Sequence, residues 1–289
     1  MAPVSRLVVH RPSPALRPHV ARYLGYVEDG HAPGLHRGLP SGSLTLAIGL
    51  DAPLDLAAMP NAARAPGRLD AAVGGLHRRP VLIRHPGRQV GVHLDVTPLG
   101  CRALFGLPAA AIADEVVGLD ELLGPAGREL VDRLRAAPGW PARFRVLDDV
   151  LGRRAAGAGD AADPTVARAW RRLEVTGGRI GVAALAQEVG WSRRHLTARF
   201  QAEVGLTPKV AARVIRFERV RRALATADHP ALATLAAEAG YADQAHLTRE
   251  FGAFAGCSPL EWLATDVLAG PPTEVGDEEE PARAAARRA

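Results

Sequence analysis

Arg194, Thr197, Ala198 and Gln201 fall on one side of a helical stretch whose other side is Leu196 and Phe200. The apolar pair lies four residues apart and reads as an inner face, which turns the polar set outward, with His195 to one side. Those side-chain types suit the edge of a base pair. A guanidinium can hold guanine O6 and N7 together, an amide can pair with adenine, and threonine or alanine packs on the thymine methyl. A second stretch repeats the arrangement: Leu247 and Phe251 lie inward, while Gln244, Ala245, Thr248 and Arg249 lie outward. Arg171, Arg172, Arg179, Arg193, His195 and Arg199 flank the first stretch and suit phosphate oxygens, contacts that add affinity but little sequence preference.

Both stretches sit in an internal repeat. LAQEVGWSRRHLTARFQAEVGLTP, from Leu185, matches LAAEAGYADQAHLTREFGAFAGCSPLEW, from Leu235. Gly190 and Gly240 are 50 positions apart, whereas Leu196 and Leu247, Phe200 and Phe251, and Pro208 and Pro259 are 51 apart, so the second copy has one extra residue between Gly240 and Leu247. A repeat takes precedence over local pattern. Each copy reads as helix, glycine turn, helix. Leu185 with Leu196 and Phe200, and Leu235 with Leu247 and Phe251, are its core. Gly190 and Gly240 end the first helix, and Ser192 and Asp243 cap the second. Two helices joined by a short turn containing glycine make a helix-turn-helix, whose second helix enters a major groove. A long helix from about Pro208 to Thr226 joins the copies.

These two motifs resemble the DNA-binding domain of AraC-type (AraC/XylS) transcriptional regulators over about 100 residues, Thr165 to Leu263. The resemblance implies two helix-turn-helix units sharing a connecting helix. It matches Arg194, Thr197 and Ala198 to base-contacting sites of the first unit, and Gln244, Ala245, Thr248 and Arg249 to those of the second. Ala198 stands where a long polar side chain is common, so fewer direct contacts are expected there. HVARYLGYVE, LPSGSLTLAIGL and GGLHRRPVLIRHPGRQVGVHLDVTPLGCRALFGLP are similar to the N-terminal domain of a group of actinobacterial AraC-like regulators. Such domains are taken to sense ligands or to mediate dimerisation.

The expected architecture is a two-domain α+β chain. Residues 1–156 form a mixed strand and helix domain, barrel-like in one reading, for sensing or dimerisation. Residues 157–164, GAGDAADP, are a linker; residues 165–268 form the all-α DNA-binding domain; and residues 269–289 are a charged, disordered tail. Strands are predicted at Leu7–Val9, Ser43–Leu50, Leu54–Ala58, Val81–Arg84 and Val90–Val96, and helices at Pro14–Val27, Pro108–Val117, Leu119–Leu123, Ala126–Ala136 and Trp140–Arg154. His31–Pro40 is predicted as loop.

Charge supports the division. The chain has 36 basic and 31 acidic residues, but residues 163–222 hold 13 basic and 5 acidic, and residues 223–266 hold 1 basic and 6 acidic. The first copy and the helix after it therefore carry the positive field, and the second is expected to bind DNA more weakly and to lean toward contact with RNA polymerase. Two cysteines, Cys101 and Cys257, give no disulfide framework. With no apolar stretch long enough to span a bilayer and no signal-like leader, a cytoplasmic protein off the membrane is expected. His77, His85 and His93 fall on or near adjacent strands without a carboxylate or cysteine in a ligand pattern, and Cys101 lacks a proton relay. No metal, cofactor or catalytic role is assigned. The expected partners are double-stranded DNA, RNA polymerase, a second copy of the chain and a small effector of unknown identity. The competing reading is a protein-interaction scaffold, or a nonspecific DNA binder with a degenerate second unit.

Overall fold

The computed structural model describes residues 4–159, 162–226 and 228–266, together with the backbone of 273–274. Nine strands open the chain: β1 (Val4–His10), β2 (Val20–Asp29), β3 (Gly34–Gly38), β4 (Leu44–Gly49), β5 (Leu54–Ala58), β6 (Gly67–Leu69), β7 (Ala71–Gly74), β8 (Val81–His85) and β9 (Gln89–Val96). Helix α1 (Gly100–Phe105) and a 3-10 turn (Ala109–Ile112) lead to β10 (Val116–Gly118), then to α2 (Leu119–Leu123), α3 (Pro125–Ala136) and α4 (Gly139–Ala156). The strands form two sheets, ordered β10-β7-β4-β9-β2-β1 and β3-β8-β5-β6, with antiparallel neighbours throughout.

Apolar residues of the larger sheet, among them Val20, Tyr23, Leu46, Ile48, Val92 and Leu94, share one core with Leu130, Leu134, Trp140, Phe144 and Leu147 of α3 and α4. Trp140 packs so close to β2 that a Cβ on Gly25 would lie 2.5 Å from its ring, so this strand position needs glycine. Phe144 stacks on His10 at 4.6 Å, and the Tyr23 hydroxyl donates to Asp148 at 3.0 Å.

The helix predicted over Pro14–Val27 is instead a turn at 14–19 followed by β2. The cause is a register shift between Val20 and Arg22 against β9. A bulge breaks the two-residue alternation, so Val20 and Tyr23 join the core three residues apart, a spacing that imitates a helix, while Leu24 is buried on the opposite face of the strand. The predicted helix over Pro108–Val117 resolves into the 3-10 turn and β10. The predicted loop His31–Pro40 contains β3, whose GLHRG sequence lacks apolar alternation because it is an edge strand. The tail predicted as disordered, 269–289, lies outside the described residues except for β11 (Thr273–Glu274). That short strand pairs in parallel with Arg6 and Leu7, occupying the open edge of β1.

The C-terminal part is all helix: α5 (Pro164–Val175), α6 (Val182–Val189), α7 (Arg193–Val204), α8 (Pro208–Leu224), α9 (Leu232–Ala239), α10 (Gln244–Ala255) and α11 (Pro259–Thr265). Asp163 caps α5 by accepting from the Thr165 and Val166 amides, with Pro164 at the first helical position. Among the described residues no helix is long and apolar enough to cross a membrane.

Candidate nucleic-acid interface

The α6–α7 and α9–α10 pairs are built alike. Gly190 and Gly240 take φ of 78° and 79°, the left-handed conformation that closes a helix. The next amide then donates five residues back in both: Trp191 to the Ala186 carbonyl and Tyr241 to the Ala236 carbonyl, each at 2.9 Å. Ser192 caps α7 by accepting from the His195 amide, and Asp243 caps α10 by accepting from the His246 amide. The extra residue of the second copy is in this turn, where Tyr241-Ala242-Asp243 replaces Trp191-Ser192. In each pair the aromatic after the glycine meets the capped histidine edge to face: Trp191 with His195 at 4.6 Å and Tyr241 with His246 at 5.2 Å.

Leu185, Leu196, Phe200, Leu235, Leu247 and Phe251 are all buried. On the opposite sides, Arg194, Ala198 and Gln201 of α7 and Gln244, Ala245 and Arg249 of α10 are exposed, while Thr197 and Thr248 are half-buried. The N-terminal half covers neither outer face. It holds α7 by its far end instead. Arg102 of α1 grips Glu203 with two hydrogen bonds, at 2.7 and 2.9 Å, and a Cβ on Gly205 would lie 2.5 Å from the Ala113 Cβ. Glu218 of α8 accepts from the Gly42 amide at 2.9 Å. Asp266, after α11, accepts from the Arg37 amide at 2.7 Å and pairs with His36 at 2.9 Å.

The flanking cations divide into two groups. Arg193 and Arg194 are exposed and take part in no hydrogen bond or ion pair among the described residues. Arg171 is also exposed, and among the described residues Arg179 donates only to the Thr176 carbonyl, at 3.3 Å from its side chain. Arg172, in contrast, is bound to Glu188 by two hydrogen bonds, at 2.5 and 3.0 Å. That contact holds the Glu188 carboxyl below the usual carboxylate range. Arg199 pairs with Asp163 at 3.1 Å. Residue spacing carries no signal for either pairing, since the partners are 16 and 36 positions apart.

The positive run that continues into α8 is partly spent inward. Arg213 donates to Glu250 at 3.0 Å, and Arg216 lies 3.7 Å from the same oxygen. Arg216 also lies over Tyr241, and Arg213 over Phe254. Glu250 is buried and receives His246 as well, at 3.3 Å. Two cations of the shared helix thus fasten the second pair. Glu250 escaped sequence reasoning; its only sequence signal is its place four residues after His246 on the inner side of α10.

The three N-terminal histidines do not converge. The His77 ring bonds the Arg79 carbonyl, His85 accepts from the Gly87 amide, and His93 pairs with Asp95. Among the described residues no group of three His, Cys, Asp or Glu could hold a metal ion. Burial, reinforced by Glu203, pushes the Cys101 thiol up to about 12, so it is protonated at neutral pH.

A helix ended by a left-handed glycine, a capped second helix and an open polar face define a helix-turn-helix DNA-binding protein. Residues 185–265 match the family described as a helix-turn-helix domain, and residues 8–118 match a domain of unknown function, DUF6597. The chain thus carries a DUF6597 domain ahead of a helix-turn-helix domain. It is similar to the solved structure of ToxT from Vibrio cholerae at 10% identity, covering 84% of this chain and 97% of that one, with a TM-score of 0.49. It is also similar to the C-terminal domain of AraT, a response regulator from Geobacillus stearothermophilus, at 17% identity, 43% and 98% coverage and a TM-score of 0.35. A third likeness is to the xylose-binding transcription activator xylR, at 23% identity, 39% and 30% coverage and a TM-score of 0.33. No curated protein matches the chain.

Proposed function

We propose that α6–α7 and α9–α10 are two tandem helix-turn-helix units, with α7 and α10 entering successive major-groove segments about 34 Å apart. The observation that carries this reading is the open outer face on both second helices, set on one 17-residue helix, α8, that packs against each pair. In this reading Arg194, Thr197, Ala198 and Gln201 meet bases from α7, and Gln244, Ala245, Thr248 and Arg249 meet bases from α10. Arg171, Arg179 and Arg193 hold phosphates. Arg172 and Arg199 must leave Glu188 and Asp163, or share them, to do the same. His195 is held against Trp191 and acts at most through its outer edge.

The chain then divides at residues 157–164 into an N-terminal half, 1–156, and a DNA-binding half, 165–268. The N-terminal half sets occupancy through an effector or through pairing with a second copy, and the acidic second unit faces RNA polymerase. Selection from a randomised duplex pool at controlled salt tests the reading. Enrichment of one two-part motif supports it; uniform weak binding sensitive only to salt would instead favour a scaffold or a nonspecific binder.

A further inference from the structure

The four-stranded sheet turns one face away from the core. Leu54 and Leu56 of β5 are buried, so Asp55 points the other way. The strand registers align it in one row: Leu35 opposite Arg84, Arg84 opposite Asp55, and Asp55 opposite Arg68. This row lines a cleft of about 740 Å³, together with Pro33, Pro53, Pro86 and Arg88. That volume is in the range of small-molecule sites.

The Arg68–Asp55–Arg84 group does not balance by itself. Arg84 donates to one oxygen of Asp55 at 2.8 Å and Arg68 to the other at 3.2 Å, so one carboxylate answers two guanidinium groups. Arg88 is answered separately, by Asp29 at 2.8 Å and Asp51 at 4.0 Å. The Arg68–Asp55–Arg84 group alone keeps one positive charge in excess, beside apolar surface that includes Leu35, 41% exposed. His85, in the same lining, accepts the Gly87 amide at Nδ1, which places the proton of the neutral ring on Nε2. That buried Nε2 has no hydrogen-bond partner among the described residues.

We propose that this cleft binds a small amphipathic monoanion, a carboxylate or sulfonate on an apolar body. The acid group lies across Arg84 and Arg68, and the apolar body covers Leu35 and the prolines. A dianion would face Asp55 with only one spare positive charge to hold it. The site also touches the rest of the molecule. Leu35 is followed on β3 by His36 and Arg37, the two residues that hold Asp266 at the end of α11. A ligand pressing on Leu35 therefore acts on the strand that grips the DNA-binding half; the regulatory meaning of this link rests on the DNA-binding reading.

The probe is 8-anilinonaphthalene-1-sulfonate, titrated by fluorescence into the full chain. One saturable site is expected. Arg84→Gln should weaken it about tenfold, the loss of one charge-assisted hydrogen bond. Arg68→Gln gives the second reading if a thermal melt shows that Arg84→Gln is unfolded. Arg145→Gln, an exposed arginine on α4, should leave binding unchanged. The uncharged N-phenyl-1-naphthylamine should bind about tenfold more weakly than the sulfonate. Unaltered binding by both cleft variants, or equal binding of the neutral dye, overturns the site. Amide hydrogen exchange reads the link without DNA: the dye should slow exchange at 34–38 and at 259–266. Slowing confined to 34–38 overturns the link. Failure of the DNA reading would show only in the duplex selection, so the two failures stay distinct.

Discussion

The α6–α7 and α9–α10 pairs share caps, turn glycines and buried leucine–phenylalanine pairs, yet they differ in where their cations go. Around α7, Arg193 and Arg194 stand open to solvent. Around α10, Arg249 is exposed, but the neighbouring Arg213 and Arg216 reach to Glu250. One scaffold thus serves two electrostatic purposes. Buried positions fix the helix pair, and a few charges decide whether its outer side attracts a polyanion. In the proposed reading, the first pair supplies affinity and the second supplies reading distance along the duplex.

The largest expected effects are those that treat the two pairs as equals. Leu196→Ala and Leu247→Ala each remove a fully buried side chain and should cost roughly 2–5 kcal/mol of stability, read by denaturant unfolding. Similar losses would confirm that the pairs share one kind of core. A loss in only one would show that the asymmetry reaches below the surface. Next in size is base reading. Arg194→Ala should cost about 1–3 kcal/mol on the selected duplex and relax one base position. Gln244→Ala should cost less, because an amide contact lacks charge assistance. Equal costs would break the division of labour between α7 and α10.

The third comparison concerns the cations that are already paired. Arg193→Ala should reduce the slope of log affinity against log salt by about one unit. Arg172→Ala should change it less, since Glu188 already answers that charge. Glu188→Gln should do the opposite and steepen the slope by about one unit, by freeing Arg172 for a phosphate. An unchanged slope in Glu188→Gln would place Arg172 away from the DNA.

How much of this was legible in the sequence follows from the range of each interaction. The helix pairs were readable because glycine, cap and the four-residue apolar step act within one turn of chain, and because the repeat states them twice. The pairings Arg172–Glu188, Arg102–Glu203 and Arg213–Glu250 were not, since each joins elements that only the fold brings together. Counting the charges of residues 163–222 as one field missed that α8 commits Arg213 and Arg216 to Glu250. In the N-terminal half the strands with clean alternation, such as LTLAIG at 44–49, were visible. The bulged β2 and the polar edge strand β3 were hidden, because a bulge erases the two-residue period and an edge strand need not have one.

The smallest expected effect separates the two turns themselves. Gly190→Ala and Gly240→Ala both place a Cβ on a left-handed residue, a strain of about 1–2 kcal/mol in either pair. The space around them differs. Nothing lies within 4 Å of the added atom at Gly190, whereas at Gly240 it would sit 3.2 Å from both Cγ and Cδ of Arg179. Arg179 belongs to the turn before α6, so its side chain reaches from the first pair onto the turn of the second. Gly240→Ala must push that arginine aside and should therefore cost a few tenths of a kcal/mol more than Gly190→Ala, a difference that thermal melts can resolve. Adding Arg179→Ala removes the obstacle and should bring the two alanine variants level. If the gap persisted in the double variant, the unequal cost would have to arise within the second turn itself, in its three residues before α10, and not from a contact between the pairs.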